Sequence, residues 1–149
     1  MEALVSQIFS VGFGIILPFI FVLTIVVFFH ELGHFYVARR CGVTVEVFSV
    51  GFGRSLASWH DKHGTQWKIG WMPLGGYVKF LGDESAASAP DIEAIQKMDP
   101  QTRKTTLLER PLGQRVAVVA AGPVANFILA IIIFAGLYAM LGQRVTDPV

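Results

Sequence analysis

The chain places three ionisable side chains, His30, Glu31 and His34, inside an otherwise apolar run from Phe13 to Ala38. Each such side chain costs about 2.5–3.5 kcal/mol at membrane depth on insertion scales, so their clustering indicates a function. Because residues four apart share one face of a helix, His30 and His34 can bind one metal ion, with Glu31 beside it as general base to a water molecule. The pattern predicts a hydrolytic Zn²⁺ site within a transmembrane helix.

Two apolar segments dominate the composition, which is 53% hydrophobic with a mean hydropathy of +0.55. The first is 13–38, and the second is 116–141, which contains no charged residue. At about 1.5 Å per residue, each segment is long enough to cross a hydrocarbon core of about 30 Å. The sequence predicts an α-helical integral membrane protein with a small antiparallel β insertion between two transmembrane helices.

The basic residues predict the orientation in the membrane. Of 12 Lys and Arg residues, 11 lie between the two spans and only Arg144 lies outside them. Cytoplasmic loops carry an excess of Lys and Arg, so residues 39–115 are expected in the cytoplasm and segments 1–12 and 142–149 on the opposite side. Met1 to Gly14 has no Lys or Arg, so the first helix is not expected to be a cleaved signal peptide.

The region between the spans changes from helical to β-like patterns. Short strands are expected at 43–47, 66–71 and 77–81, with a hairpin turn at 62–65, so 39–84 reads as a membrane-associated β-sheet with a re-entrant loop. The strands are interrupted at two glycine-containing segments, Gly51-Phe52-Gly53 and Pro73-Leu74-Gly75-Gly76. Residues 85–115 are expected to form a linker with a short surface helix at 91–98.

Asn126 is the one amide side chain in the second apolar segment. Counting inward from Arg115 and from Arg39 at about 1.5 Å per residue puts Asn126 and His30 at nearly the same depth. Small residues that would let the two helices approach closely are Ala117, Ala120, Ala121, Gly122 and Ala125. Asn126 therefore serves either as a donor to a substrate carbonyl or oxyanion, or as an interhelical hydrogen-bonding residue.

Other polar and glycine residues have simpler explanations. His60, Asp61 and His63 flank the predicted hairpin turn, where polar residues are expected, and receive no functional role. Cys41 is the single cysteine, so an internal disulfide is excluded and a structural role is expected. Gly75-Gly76 either turns a strand or allows an edge strand near the metal to accept an unwound substrate segment through main-chain hydrogen bonds.

Four motifs in this order resemble the site-2 protease family of intramembrane zinc metalloproteases, in its bacterial RseP-type branch. They are H-E-L-G-H, V-E-V-F-S-V-G-F-G-R, P-L-G-G-Y-V-K and G-Q-R-V-A-V-V-A-A-G-P-V-A-N-F. The resemblance implies zinc bound by His30 and His34, Glu31 as catalytic base, and Asn126 near the scissile bond. It also implies that the β region, including Gly51, Phe52 and Gly53, presents substrate.

The resemblance further implies partners and a location. The substrate is expected to be a single-span membrane protein, such as an anti-sigma factor or a remnant signal peptide. The protein is expected in the bacterial inner membrane, with the lipid bilayer as its other partner, and nucleic acid is not expected as a partner. The family's third zinc ligand, an Asp from a later helix, and its PDZ domains have no match here, and the role is not assigned to Asp147. The chain is therefore expected to be the amino-terminal portion of a longer enzyme.

Two other functions fit the apolar segments and the H-E-x-x-H motif. A metal-handling or scaffold membrane protein would need the histidines but not Glu31, since transport needs ligands and hydrolysis needs a base. A membrane-anchored zinc protease that cuts soluble chains would place the motif outside the bilayer, which the depth estimate disfavours.

Overall fold

The computed structural model of the chain describes residues 2–85 and 89–142, with side chains described from Val11 onward. Its elements are, in chain order, α1 (Glu2–Arg40), β1 (Val45–His60), β2 (Gln66–Phe80), α2 (Ile92–Lys97), α3 (Pro100–Arg103) and α4 (Leu112–Leu141). Two long helices thus flank a small β-sheet, as the sequence predicts. The predicted segment 143–149, with Asp147, lies outside the described residues.

Both long helices carry apolar side chains around most of their circumference. α1 from Val11 to Arg40 and the whole of α4 are each long and apolar enough to cross a membrane. Large apolar side chains are exposed along both, including Phe13, Phe19 and Phe21 in α1 and Phe127, Ile131 and Phe134 in α4. A helix that is apolar all round is buried in a protein core or in a membrane, and here few of these residues are buried in protein.

The helix bounds differ from the prediction at the amino-terminal ends. α1 begins at Glu2 instead of residue 13, and α4 begins at Leu112 instead of residue 116. Hydrophobicity marks the part of a helix that can cross a membrane but not the turns that extend beyond it. In α4, Pro111 directly precedes the first helical residue, a position where its fixed backbone angle favours a helix start.

β1 and β2 pair mainly in the antiparallel direction, and each strand is long enough to pair twice. Segment 45–50 of β1 pairs with 76–80 of β2 on one side and with 66–69 on the other, and segment 55–60 pairs with 66–70. In the central pair the residue numbers rise together, from Val47 with Gln66 to Val50 with Ile69, so this pair is parallel. Among the described residues, 76–80 and 55–60 pair on one side only and form the edges.

The predicted interruptions at Gly51-Phe52-Gly53 and at 73–76 are not strand ends. Both lie within the continuous strands, at positions where the register shifts. Gly51 and Gly53 have φ values of 87° and 83°, which glycine adopts without strain and other residues rarely do. The glycines therefore bend and twist the strands, as bulges do, instead of terminating them.

The short helices follow local capping signals. α2 begins after Asp91, whose side chain accepts a hydrogen bond from the Ala94 backbone N–H, which agrees with the predicted helix at 91–98. α3 was not expected, although Asp99 followed by Pro100 is a helix-start signal of the same kind.

An aromatic cluster attaches the sheet to the carboxyl-terminal half of α1. The ring of Phe48 in β1 lies 5.3 Å from Phe35 in α1 and 4.4 Å from Trp67 in β2, measured between ring centroids. Phe28 contacts the same Phe48 ring at 6.0 Å. Aromatic rings bury large apolar areas and contribute strongly to the stability of a protein core. This cluster therefore holds the sheet against the helix.

A polar network supports the same attachment at the end of α1. Arg39 Nη2 donates to Asp61 Oδ2 at 2.5 Å and to Thr65 Oγ1 at 3.2 Å, and its guanidinium lies over the Phe35 ring. Trp67 Nε1 also donates to the Asp61 carboxylate. Asp61 is therefore a structural anchor of the hairpin turn, whereas His60 and His63 are exposed, as expected for a turn.

Replacing Asp61 by Asn should reduce stability in a pH-dependent way. Desolvation raises the pKa of Asp61, but hydrogen bonds from the His63 backbone, Trp67 and Arg39 outweigh it and lower the pKa to about 2. Because the unfolded value is about 3.9, the stabilisation is present above pH 4 and is lost as the pH falls towards 2. Asp61→Asn should cost about 1–3 kcal/mol of unfolding free energy at pH 7 and less at pH 3.

Thermal unfolding of the purified protein in detergent at both pH values measures this difference. Glu46→Gln, which breaks the exposed ion pair with Lys79, is the control and should cost less than about 1 kcal/mol. Equal losses at pH 7 for Asp61→Asn and Glu46→Gln would contradict the anchoring role.

Candidate metal centre

The histidine side chains of the H-E-x-x-H motif face each other on α1. His30 Nε2 and His34 Nε2 lie 3.2 Å apart. Two nitrogens bound to one tetrahedral zinc ion at about 2.0–2.1 Å are separated by about 3.3 Å. The spacing of the two nitrogens therefore fits two ligands of a single zinc ion.

The main chain of α4 orients His34. His34 Nδ1 lies 2.7 Å from the carbonyl oxygen of Val118, and since a carbonyl can only accept, Nδ1 is the donor. In a neutral imidazole this leaves Nε2 with its lone pair free for a metal ion. A hydrogen bond from the second ring nitrogen to a backbone carbonyl is common among metal-binding histidines.

His30 is contacted by Asn126, at the level that the depth estimate predicts. Asn126 Nδ2 lies 3.3 Å from His30 Nδ1, and Asn126 Oδ1 is buried and finds no hydrogen-bond partner among the described residues. To bind a metal through Nε2, His30 must carry its proton on Nδ1, which then needs an acceptor. Rotation of the Asn126 amide would supply Oδ1 as that acceptor, so the residue is suited to orient His30.

Close contact between α1 and α4 depends on two glycines. A Cβ atom on Gly122 would overlap His34 Nε2 and lie 2.8 Å from His30 Nε2. A Cβ on Gly33 would overlap the Ala121 carbonyl oxygen and lie 2.8 Å from Ala125 Cβ. Of the five small residues expected at this contact, Ala121, Gly122 and Ala125 face α1, whereas Ala117 and Ala120 are exposed.

Glu31 lies beside the edge of the sheet. A Cβ on Gly76 would lie 3.1 Å from Glu31 Cγ and 3.1 Å from Val27 Cγ1. A Cβ points out of the plane of a sheet, so these distances show that one face of the edge strand packs against α1 at Gly76. The absence of a side chain at Gly76 thus allows β2 to approach Glu31 closely, a contact that the sequence analysis did not predict.

Gly51, Phe52 and Gly53 reach the same edge indirectly. The Phe52 ring stacks on Tyr77 at 6.2 Å and occupies the space that a Cβ on Gly75 would fill. Gly51 and Gly53 pack against the main chain of 70–72 and the Trp71 indole. These three residues therefore shape the surface next to Gly75-Gly76.

Some contributors to the site give no signal in the sequence. The Val118 carbonyl is a backbone group, which no residue type reveals, and Gly122 reads as one more small residue in a helix contact. Among the described residues, no three His, Cys, Asp or Glu side chains come together as a metal-binding group. The described part of the chain therefore offers two candidate zinc ligands, His30 and His34.

Comparison with known proteins agrees with this geometry. Residues 18–149 match Peptidase family M50, the site-2 protease family. The chain belongs to this family. It is 53% identical over 131 residues to a protein of Rhizobium meliloti named as a zinc metalloprotease, covering 88% of this chain and 35% of that protein.

Two further relatives are named as proteases. The chain is 46% identical over 146 residues to the metalloprotease MmpA of Caulobacter vibrioides, covering 92% of this chain and 37% of the relative. It is 47% identical over 113 residues to the regulator of sigma-E protease RseP of Salmonella typhimurium, covering 76% and 23%. The chain thus spans about a third or less of the length of these relatives, and the family supports the metalloprotease class predicted from the motif.

Substituting Gly122 by Ala should prevent zinc binding. The added methyl group would occupy the space of the two histidine nitrogens, and the neighbouring helix backbone leaves little room for them to move. Zinc content of the purified full-length enzyme should fall at least tenfold. Gly136→Ala is the matched control, since a Cβ there meets nothing within 4 Å. Full zinc content in Gly122→Ala would show that zinc is not bound by the two histidine nitrogens at their position beside Gly122.

Asn126→Ala should weaken zinc binding about 10–100-fold, the usual effect of losing a residue that orients a metal ligand. Asn126→Asp, which keeps an acceptor oxygen, should retain more affinity. Competition with a zinc chelator measures both variants. Unchanged zinc affinity together with slower cleavage would instead favour the role on substrate that the sequence suggests.

Proposed function

We propose that this chain contributes two zinc ligands, the general base and the substrate-binding strand to an intramembrane zinc endopeptidase. The observation that carries the proposal is the pair of imidazole nitrogens 3.2 Å apart between two membrane-length helices, with Glu31 beside an open strand edge. The third ligand, a carboxylate, and the PDZ domains are proposed to lie in the remainder of a longer chain.

His30 and His34 would hold the zinc ion, which when bound polarises the scissile carbonyl and acidifies water. Glu31 follows His30 directly and faces the edge of β2, so it can take a proton from water near a peptide bound there. Asn126 and the Val118 carbonyl keep the imidazoles in the required orientation. Each of these functions is performed by a group on α1 or α4, which are rigid supports.

The edge segment 76–80 is proposed to accept the substrate. A transmembrane substrate has its peptide groups hydrogen-bonded within a helix, so a short segment must unwind before cleavage. Strand addition to an open edge supplies main-chain partners for the unwound segment with little dependence on its side chains. Phe52, which packs over Gly75, and the flanking Gly51 and Gly53 would then lie beside the bound substrate segment.

The distribution of basic residues and the family support a proposed location and a proposed substrate class. We propose a bacterial inner-membrane protein with loop 39–115 in the cytoplasm, because the basic residues lie there. The substrate class would be single-span membrane proteins, such as an anti-sigma factor or a remnant signal peptide. This agrees with the name of the Salmonella relative, regulator of sigma-E protease RseP.

Replacing Glu31 by Gln should abolish cleavage while preserving zinc, because the base is lost and both histidines remain. Loss of a general base costs about 10²–10⁴-fold in rate. Zinc content and cleavage of a single-span substrate by the full-length enzyme are measured side by side, with exposed Glu93→Gln as the control. Normal turnover by Glu31→Gln would show that Glu31 is not the catalytic base, and absence of cleavage by the wild-type protein would favour a metal-handling or scaffold protein instead.

A further inference from the structure

A hydroxyl on α1 links this helix to the segment of β2 that leads to the site. Thr24 Oγ1 lies 2.7 Å from the carbonyl oxygen of Ile20 and 3.2 Å from that of Pro73. A hydroxyl has one proton, so it is shared between its own helix and the strand. Among the described residues, no other hydrogen bond joins α1 to segment 73–76.

Thr24 lies on the same stripe of α1 as the general base. Thr24, Val27 and Glu31 are spaced three and four residues apart and therefore share one face. Pro73 lies at Thr24, and Gly76 lies against Val27 and Glu31. β2 thus runs along this stripe from Thr24 towards Glu31.

The lengths of the two paths agree. Seven residues of helix from Thr24 to Glu31 rise about 10.5 Å, and three residues of strand from Pro73 to Gly76 extend about 10 Å. The Thr24 hydrogen bond therefore fixes the start of a strand segment whose end contacts the base. Any shift of Pro73 along α1 would move Gly76 relative to Glu31 by a similar distance.

The depth of Pro73 makes this bond more important. Thr24 lies fifteen residues before Arg39, or about 22 Å inward along the helix at about 1.5 Å per residue. In the proposed membrane placement a carbonyl at that depth has little access to water, so leaving the Pro73 carbonyl unpaired would cost free energy. The Thr24 hydroxyl provides it with a donor.

We propose that Thr24 is a positioning residue that sets the height of the substrate-accepting edge of β2 against Glu31, and so determines which peptide bond is cut. The inference rests on the proposed function. Thr24 itself contacts neither the metal-binding nitrogens nor a substrate strand paired at 76–80; it acts through Pro73.

The test compares Thr24→Val, which keeps the shape but removes the hydroxyl, with Thr24→Ser, which keeps the hydroxyl. Both are made in the full-length enzyme, and zinc content is measured first. The probe is a single-span segment that the wild-type enzyme cleaves, with cut positions identified by mass spectrometry. Ser55→Ala, which removes a hydroxyl-to-backbone bond on the opposite sheet edge, is the control.

Thr24→Val should retain zinc, lower kcat about two- to tenfold, the range expected for one hydrogen bond, and spread cleavage over neighbouring peptide bonds. Thr24→Ser should restore the single cut position. In Thr24→Val the hydrogen-exchange rate should rise at the amides of 74–76 and remain unchanged at 45–50. This measurement detects loosening of the strand segment independently of enzyme activity.

Two results separate the possible failures. Absence of cleavage by the wild-type enzyme would overturn the proposed function and this inference with it. Wild-type cleavage with an unchanged cut position, rate and hydrogen exchange in Thr24→Val would overturn the inference alone.

Discussion

The close approach of α1 and α4 at Gly33 and Gly122 is the contact on which the rest of the site depends. Gly33 admits the Ala121 carbonyl, and Gly122 leaves the space that the two imidazoles occupy. With larger residues at either position the helices would separate, and the Val118 carbonyl and Asn126 would no longer reach His34 and His30. Small residues are favoured at such contacts in membranes because packing, not water exclusion, drives helix association there.

The histidines need these contacts because of where they lie. In an apolar environment a polar group without a partner is costly, so each ring nitrogen requires a donor, an acceptor or a metal ion. His34 obtains a backbone carbonyl, His30 obtains an amide, and the two Nε2 atoms are left facing each other. The same partners that satisfy the rings therefore direct their free nitrogens towards one point.

The sheet brings a second function to that point. Its aromatic cluster with Phe35 and its polar anchor from Arg39 to Asp61 both attach to the last two turns of α1, immediately after His34. From this attachment β2 extends back along α1, so that its unpaired edge passes Glu31. The proposed catalytic groups and the proposed substrate-binding strand are therefore held by one helix, which keeps their relative positions well defined.

The sequence alone determined the two long apolar helices, the small antiparallel β insertion, the histidine pair with Glu31, and the family. These follow from local features: apolar length, strand alternation and the four-residue spacing of a helix face. The level of Asn126 was also predictable, because helix rise is constant. Only the tertiary structure decided the continuous strands through Gly51-Phe52-Gly53 and 73–76, the double pairing of 45–50, and the partners of each imidazole. Those depend on contacts between residues distant in sequence, including backbone carbonyls and the space left by glycines, which residue identities do not encode locally.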